Sequence, residues 1–290
     1  MKTPTKPIVA LLAAVSLTAC ASPQETPSNS LTATTAAQNR ATWEKIEASR
    51  ADCMKQAGFK YTPTLPEVPR QAKEAASGNG SYDAMMKQRS KYGFGVFAKY
   101  VYPDQNSGNK TSNPNLIYMM SLKSGQLAAY NKADEQCFVK SLNEVTGKRA
   151  TSRQDYEQQR AALVEKYYKR MVDSDPELLD LGRKFADCLK QKGYQVPQAE
   201  PQGLASRGWT VFSKQASEIG AKAFKNPKPG VIYEPDFKPA QANPYLKKEI
   251  KAALDDLECG KSFYAAYYPK ANEAGRQAGN EFGLSSVVVN

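Results

Sequence analysis

Beyond about residue 40 the apolar positions recur three and four residues apart, the spacing of one face of a helix, and no run alternates apolar with polar as a half-buried strand does. Residues 41–55 carry Trp43, Ile46, Cys53 and Met54 among charged neighbours and stop at Gly58, as a helix with a glycine cap would. A second helix is predicted over residues 121–145, opening on a serine cap, and a third over 152–172, where Tyr156, Leu163, Tyr167 and Met171 return near the helical period. Ser174-Asp175-Pro176-Glu177 sets a capping side chain before a proline at the first helical position and starts a helix that runs to Gly193. Asn243-Pro244 predicts the same kind of start for a helix over residues 245–268, with Leu246, Ile250, Ala253, Leu254 and Leu257 on one stripe. Proline- and glycine-rich stretches at 61–80, 103–115 and 226–243 are expected to be long loops. The predicted fold is mainly α.

The N-terminal segment follows a different pattern. Lys2 and Lys6 precede a short apolar run that ends in Leu17-Thr18-Ala19-Cys20, the layout of an export signal. Residues 7–19 fall short of the about 20 needed to cross a hydrocarbon core, so no permanent span is expected there. Leu17-Thr18-Ala19-Cys20 resembles the lipobox of bacterial lipoproteins, in which the cysteine thiol receives a diacylglyceryl group and the peptide bond before it is cut. The bland alternative is an ordinary secretory peptide with a chance cysteine. Two acyl chains, at about 0.8 kcal/mol per buried methylene, would hold the chain firmly on its membrane. Residues 21–40 are rich in Ser, Thr, Pro and Ala and nearly free of large apolar side chains, so a flexible tether is expected there.

With Cys20 assigned to lipid, Cys53, Cys137, Cys188 and Cys259 remain, an even number that favours disulfides in an exported chain. Three pairings are open. An internal repeat narrows them, because Ala51-Asp52-Cys53-Met54-Lys55-Gln56-Ala57-Gly58-Phe59 is matched by Ala186-Asp187-Cys188-Leu189-Lys190-Gln191-Lys192-Gly193-Tyr194. Each copy is followed by a second cysteine behind an acidic helical stretch, ending at Glu135-Gln136-Cys137 and at Leu257-Glu258-Cys259. By that symmetry Cys53 pairs with Cys137 and Cys188 with Cys259. A four-cysteine zinc site is disfavoured, since no two cysteines stand at the close spacing of structural zinc ligands. The chain is thus expected to divide into a signal peptide at 1–19, a lipid anchor and tether at 20–40, and two related helical halves at 41–150 and 151–290.

Charge and composition narrow the chemistry. The net charge of +11 includes Lys2 and Lys6, and without residues 1–19 the chain keeps 38 basic against 29 acidic residues, or +9. In an exported protein such an excess points to phospholipid head groups or anionic wall polymer before nucleic acid. There is no histidine. That excludes Ser-His-Asp and Cys-His catalysis and histidine-based zinc protease motifs within this chain.

Cys53-Met54-Lys55-Gln56-Ala57-Gly58-Phe59, Lys91-Tyr92-Gly93-Phe94-Gly95-Val96, and the run from Asn113-Pro114-Asn115 through Tyr118 to Ser121-Leu122 carry a family likeness. Together they resemble the uncharacterised lipoproteins of actinobacteria, loosely over the whole mature chain. Gln136 stands where that family usually has glycine before its second cysteine. The resemblance implies the export address and the helical topology, and it implies no activity.

Several motifs have a structural reading beside a chemical one. Ser107-Gly108-Asn109-Lys110 fits Ser-x-x-Lys in letters but sits in a Gly/Asn loop. Gly93-Phe94-Gly95-Val96-Phe97-Ala98 matches a dinucleotide fingerprint but follows no strand, so a structural turn is expected. Acid pairs such as Asp255 with Asp256, or Glu157 with Glu165, are expected to be solvated. No catalytic, cofactor or metal residues are assigned. Tyr167, Tyr168, Tyr264, Tyr267 and Tyr268, beside lysines and arginines, form a candidate patch for sugars or anionic polymer, against the alternative that the rings pack the core. The expected function is a non-enzymatic envelope-binding or complex-assembly lipoprotein on the outer face of a membrane. The alternatives are a solute-binding lipoprotein of an importer and, less favoured, a histidine-free carbohydrate-active enzyme.

Overall fold

The computed structural model describes residues 28–65, 81–103, 113–198 and 200–283, with side chains from residue 38 onward. The signal segment, Cys20 and Ser107-Gly108-Asn109-Lys110 lie outside the described residues. Among those described there are ten α-helices and no strand. They are α1 (Ser28–Gln56), α2 (Tyr82–Tyr92), α3 (Ala98–Val101), α4 (Pro114–Met120), α5 (Ser124–Thr146), α6 (Arg153–Tyr168), α7 (Pro176–Gln191), α8 (Pro201–Ala221), α9 (Pro239–Cys259) and α10 (Lys261–Phe282). A π-helical turn, Lys169–Asp173, follows α6 directly.

Local chemistry sets many of these boundaries. Asp175 caps α7, its carboxylate accepting from the Leu178 amide at 3.0 Å with Pro176 at the first helical position. Ser152 caps α6 by accepting from Asp155 N at 2.9 Å. The two copies of the sequence repeat close their helices identically. In one, Phe59 N donates to Met54 O at 2.9 Å and Gly58 N to Lys55 O at 3.0 Å; in the other, Tyr194 N donates to Leu189 O and Gly193 N to Lys190 O, both at 2.9 Å. Both glycines take the positive φ that this cap needs, 84° at Gly58 and 85° at Gly193.

The disulfides are Cys53–Cys137 and Cys188–Cys259. The first ties α1 to α5, whose shared face buries Trp43, Ile46, Phe138 and Leu142 with Tyr156 of α6. The second ties α7 to α9 around Leu178, Phe185, Leu189, Leu204, Leu257, Phe263 and Tyr264. Each fully buried Leu or Phe of this cluster contributes about 1.5–3 kcal/mol of transfer free energy.

Several expectations are corrected. Helix α1 begins at Ser28, inside the segment expected to be a tether, and is anchored further along by buried Trp43 and Ile46. The helix expected over 121–145 is α5, starting three residues later, and the short helix before it, α4, was not expected; α4 ends where Ser121 Oγ donates to Tyr118 O at 2.6 Å. Helix α9 starts at Pro239, so Pro244 lies within it and the loop expected to reach 243 ends earlier. The helix expected over 245–268 divides at Gly260, where any Cβ would lie 2.7 Å from the Tyr264 ring. Packing also crosses the boundary expected near residue 150. Helices α2 and α3 lie against α9, while Phe282 at the end of α10 enters the α1–α5 core.

Candidate functional site

Two acids of α9 stand seven residues apart, two turns, on the stripe that also carries Leu246, Ala253 and Leu257. That stripe is buried, and both acids go in with it: Glu249 and Asp256 are each 0% exposed. Each therefore has to find partners inside the protein.

Glu249 finds them in the glycine turn between α2 and α3. Its carboxylate oxygens accept from Val96 N and Phe97 N, both at 2.8 Å. Burial pushes this carboxyl up, and the backbone N–H groups of Phe97, Val96, Phe94 and Gly95 pull it back. The turn exists because Gly93 and Gly95 accept positive φ, 60° and 94°. A Cβ on Gly93 would also meet Glu249 Cγ at 2.7 Å. The motif resembling a phosphate-cradling loop is thus a structural turn as expected, and the anion it cradles is the protein's own carboxylate.

Asp256 sits between two arginines from different helices. Arg89 of α2 reaches it at 2.6 Å and Arg207 of α8 at 3.4 Å, while the Tyr264 hydroxyl donates to it at 2.6 Å. Arg89 also donates to Ala253 O at 3.2 Å and stacks 4.7 Å from the centre of the Tyr264 ring. Burial pushes the Tyr264 phenol well above its ordinary range, so it stays a donor. Fully buried and held by two cations and a phenol, Asp256 is a structural clasp with no access for a substrate. A matching centre lies in the α1–α5 half, where buried Glu47 accepts from Arg50, Tyr61 Oη and Thr64 N and Arg50 reaches on to Asp134.

Burial decides between the two readings of the tyrosines, patch and core. Tyr167, Tyr264 and Tyr267 are buried, and Tyr168 and Tyr268 pack partly buried against the same core. Tyr267 stacks on Phe263 with centroids 5.3 Å apart, and Tyr264 on Tyr268 at 5.8 Å. The Tyr167 hydroxyl is used by Glu281. The rings of Tyr264, Tyr267 and Tyr268 meet one another or Phe263, and Arg170 lies 4.6 Å from the centre of the Tyr167 ring, so they follow the core-packing alternative.

The acids expected to be solvated divide. Asp256 is buried, whereas Asp255, one residue and about 100° around the helix, is 18% exposed and meets Lys251, Lys192 and Tyr194 at 2.7, 3.2 and 2.6 Å. Hydrogen bonds from Lys251 and Tyr194 foremost, with Lys192 adding to them, hold its carboxyl down at about 2 against an ordinary 3.8. A depressed carboxylate stabilises the fold above its unfolded value and loses that contribution as pH falls through the folded one. The melting temperature should therefore drop between about pH 4 and pH 2, and Asp255→Asn should flatten that part of the profile. An unchanged slope in the variant would remove Asp255 from the account of acid sensitivity.

One surface recess of about 290 Å³ is lined by Asp173, Gln198, Glu200, Gln202, Gly203 and Ser206. Asp173 accepts from Gln202 N at 2.9 Å, and burial first, then neighbouring Glu165 and Glu200, pushes its carboxyl up. An acidic recess repels the anionic polymers that the chain's basic excess would attract. No group of three or more Cys, Asp or Glu suited to a metal ion occurs among the described residues. None of their helices is long and apolar enough to cross a membrane.

The signal for Glu249 and Asp256 was present in the sequence as acids on an apolar stripe at a seven-residue interval. Arg89 and Arg207 carried no comparable mark. Comparison with family models, curated proteins and solved structures finds no match for this chain.

Proposed function

We propose that the chain is an exported lipoprotein, cut before Cys20 and held by lipid on the outer face of a membrane, where it serves as a non-enzymatic envelope-binding or complex-assembly module. The observation that carries this reading is the fate of the cysteines. Four of the five are closed in two disulfides, which persist in oxidising compartments, and Cys20 is left over at the end of a signal-like segment. The likeness of its cysteine and glycine motifs to actinobacterial lipoproteins supports the same address. Asp256 and Glu249, the acids buried in the core, are committed to holding helices together.

Cys20→Ser should move the protein from the membrane fraction to the soluble exported fraction. Mass spectrometry of the wild-type N-terminal peptide should show a cysteine carrying acyl chains. An unmodified Cys20 in a protein that still fractionates with the membrane would defeat the anchoring half of the proposal. Retention of neither wall polymer nor a defined protein by the lipidated chain, captured from detergent-solubilised membranes, would defeat the binding half.

A further inference from the structure

From residue 222 to residue 232, between α8 and α9, every residue is exposed. This run holds Lys222, Lys225 and Lys228, no acid, and three large apolar side chains: Phe224 at 54%, Val231 at 47% and Ile232 at 81% exposure. None of the three ammonium groups has a carboxylate within ion-pair distance among the described residues. Glu234, the next acid along the chain, is taken by Lys99 at 2.6 Å.

The loop is held in shape. The rings of Phe224 and Tyr233 meet with centroids 4.7 Å apart, and the Tyr233 hydroxyl accepts from Lys228 N at 2.7 Å. Tyr233 N in turn donates to Ser217 Oγ of α8 at 3.1 Å. The returning chain passes so close to Gly220 that a Cβ there would lie 2.7 Å from the Tyr233 and Glu234 backbone. Gly230, at φ 76°, turns the tip and presents Val231 and Ile232 outward.

We infer that this loop is a second membrane contact, in which Phe224, Val231 and Ile232 enter the head-group layer of an anionic bilayer while Lys222, Lys225 and Lys228 lie on its phosphates. The combination selects the occupant. Lysines alone would suit any polyanion, but exposed aliphatic tips gain nothing from a hydrated polymer and gain burial at a bilayer boundary. Because the loop is already ordered by the Tyr233 bonds, little conformational entropy is lost on contact. The inference rests on the proposed exported, membrane-held address, yet its test is independent of lipid on Cys20.

The test uses the chain from residue 20 to 290 carrying Cys20→Ser, which contains every described residue and no acyl group. Its sedimentation with vesicles of phosphatidylglycerol and phosphatidylcholine is compared with that on phosphatidylcholine alone. Binding should appear on the anionic vesicles and fall as salt rises. At about fivefold per lysine near an anionic surface, replacing Lys222, Lys225 and Lys228 together by serine should weaken it about a hundredfold. Phe224→Ser with Ile232→Ser should weaken it roughly tenfold at unchanged charge. Circular dichroism checks that both exposed variants keep their helices. Equal binding by the apolar variant, or loss of vesicle binding to competing polyphosphate with no dependence on Phe224 and Ile232, would overturn the bilayer contact and indicate a polyanion site. Absence of lipid on Cys20 would leave this result standing and remove only the anchor.

Discussion

Asp256→Asn should cost about 3–5 kcal/mol of folding free energy, the usual price of removing one partner from a buried ionic centre. Two guanidinium groups converge on this carboxylate, 8% and 7% exposed in their side chains, and the substitution leaves both in the interior with no anion between them. The Tyr264 phenol also loses its acceptor. Three helices, α2, α8 and α9, meet only if these charges cancel, so the loss should appear as one cooperative transition at lower urea with an unchanged slope. Asp255→Asn is the control: its partners Lys251 and Lys192, 76% and 30% exposed in their side chains, can turn to water, so its loss should be clearly the smaller of the two. Equal small losses for the two neighbours would show that the Asp256 centre is solvated and would sink the clasp.

Opening either disulfide should cost on the order of 4 kcal/mol in the chain-entropy account. The bridges span sequence separations of 84 and 71 residues. Because the cost rises only with the logarithm of loop length, the double variants Cys53→Ala with Cys137→Ala and Cys188→Ala with Cys259→Ala should differ by under about 0.5 kcal/mol. Urea unfolding of each, against the oxidised parent, reads both quantities. A reduced protein that unfolds at the parental urea concentration would mean that the helices hold without the bridges. It would also weaken the argument that they mark an oxidising compartment.

Where local rules govern, the sequence was a sufficient guide. The Asp175-Pro176 start, the Gly58 and Gly193 caps and both cysteine pairings are where spacing and symmetry placed them. The glycine turn at Gly93 and Gly95 was also legible as a turn. Helix α8 was not, since Gly203, Gly208 and Gly220 lower its helix propensity. Those glycines are needed for packing: a Cβ on Gly208 would lie 2.1 Å from the Phe94 ring, and Gly220 admits the backbone of Tyr233. For the five tyrosines the sequence left a surface patch and core packing both open, because adjacency to lysine in sequence does not say which way a ring points. Their helices turn them into the same core as Phe185 and Phe263.

By itself, then, the sequence determined the helical class, the caps that start and stop helices, the pairing of its cysteines and the basic excess. Those depend on residues within a turn or two of one another, or on a repeat visible in the letters. The tertiary structure alone decided that Glu249 and Asp256 are buried clasps, that α2 and α3 lie on α9, and that every residue of 222–232 is exposed. Each of these depends on partners 49 to 167 positions away or on the absence of any. Local hydrogen-bonding rules set helix ends, but only the packed interior, where an unpaired charge costs several kcal/mol, chooses which arginine meets which aspartate.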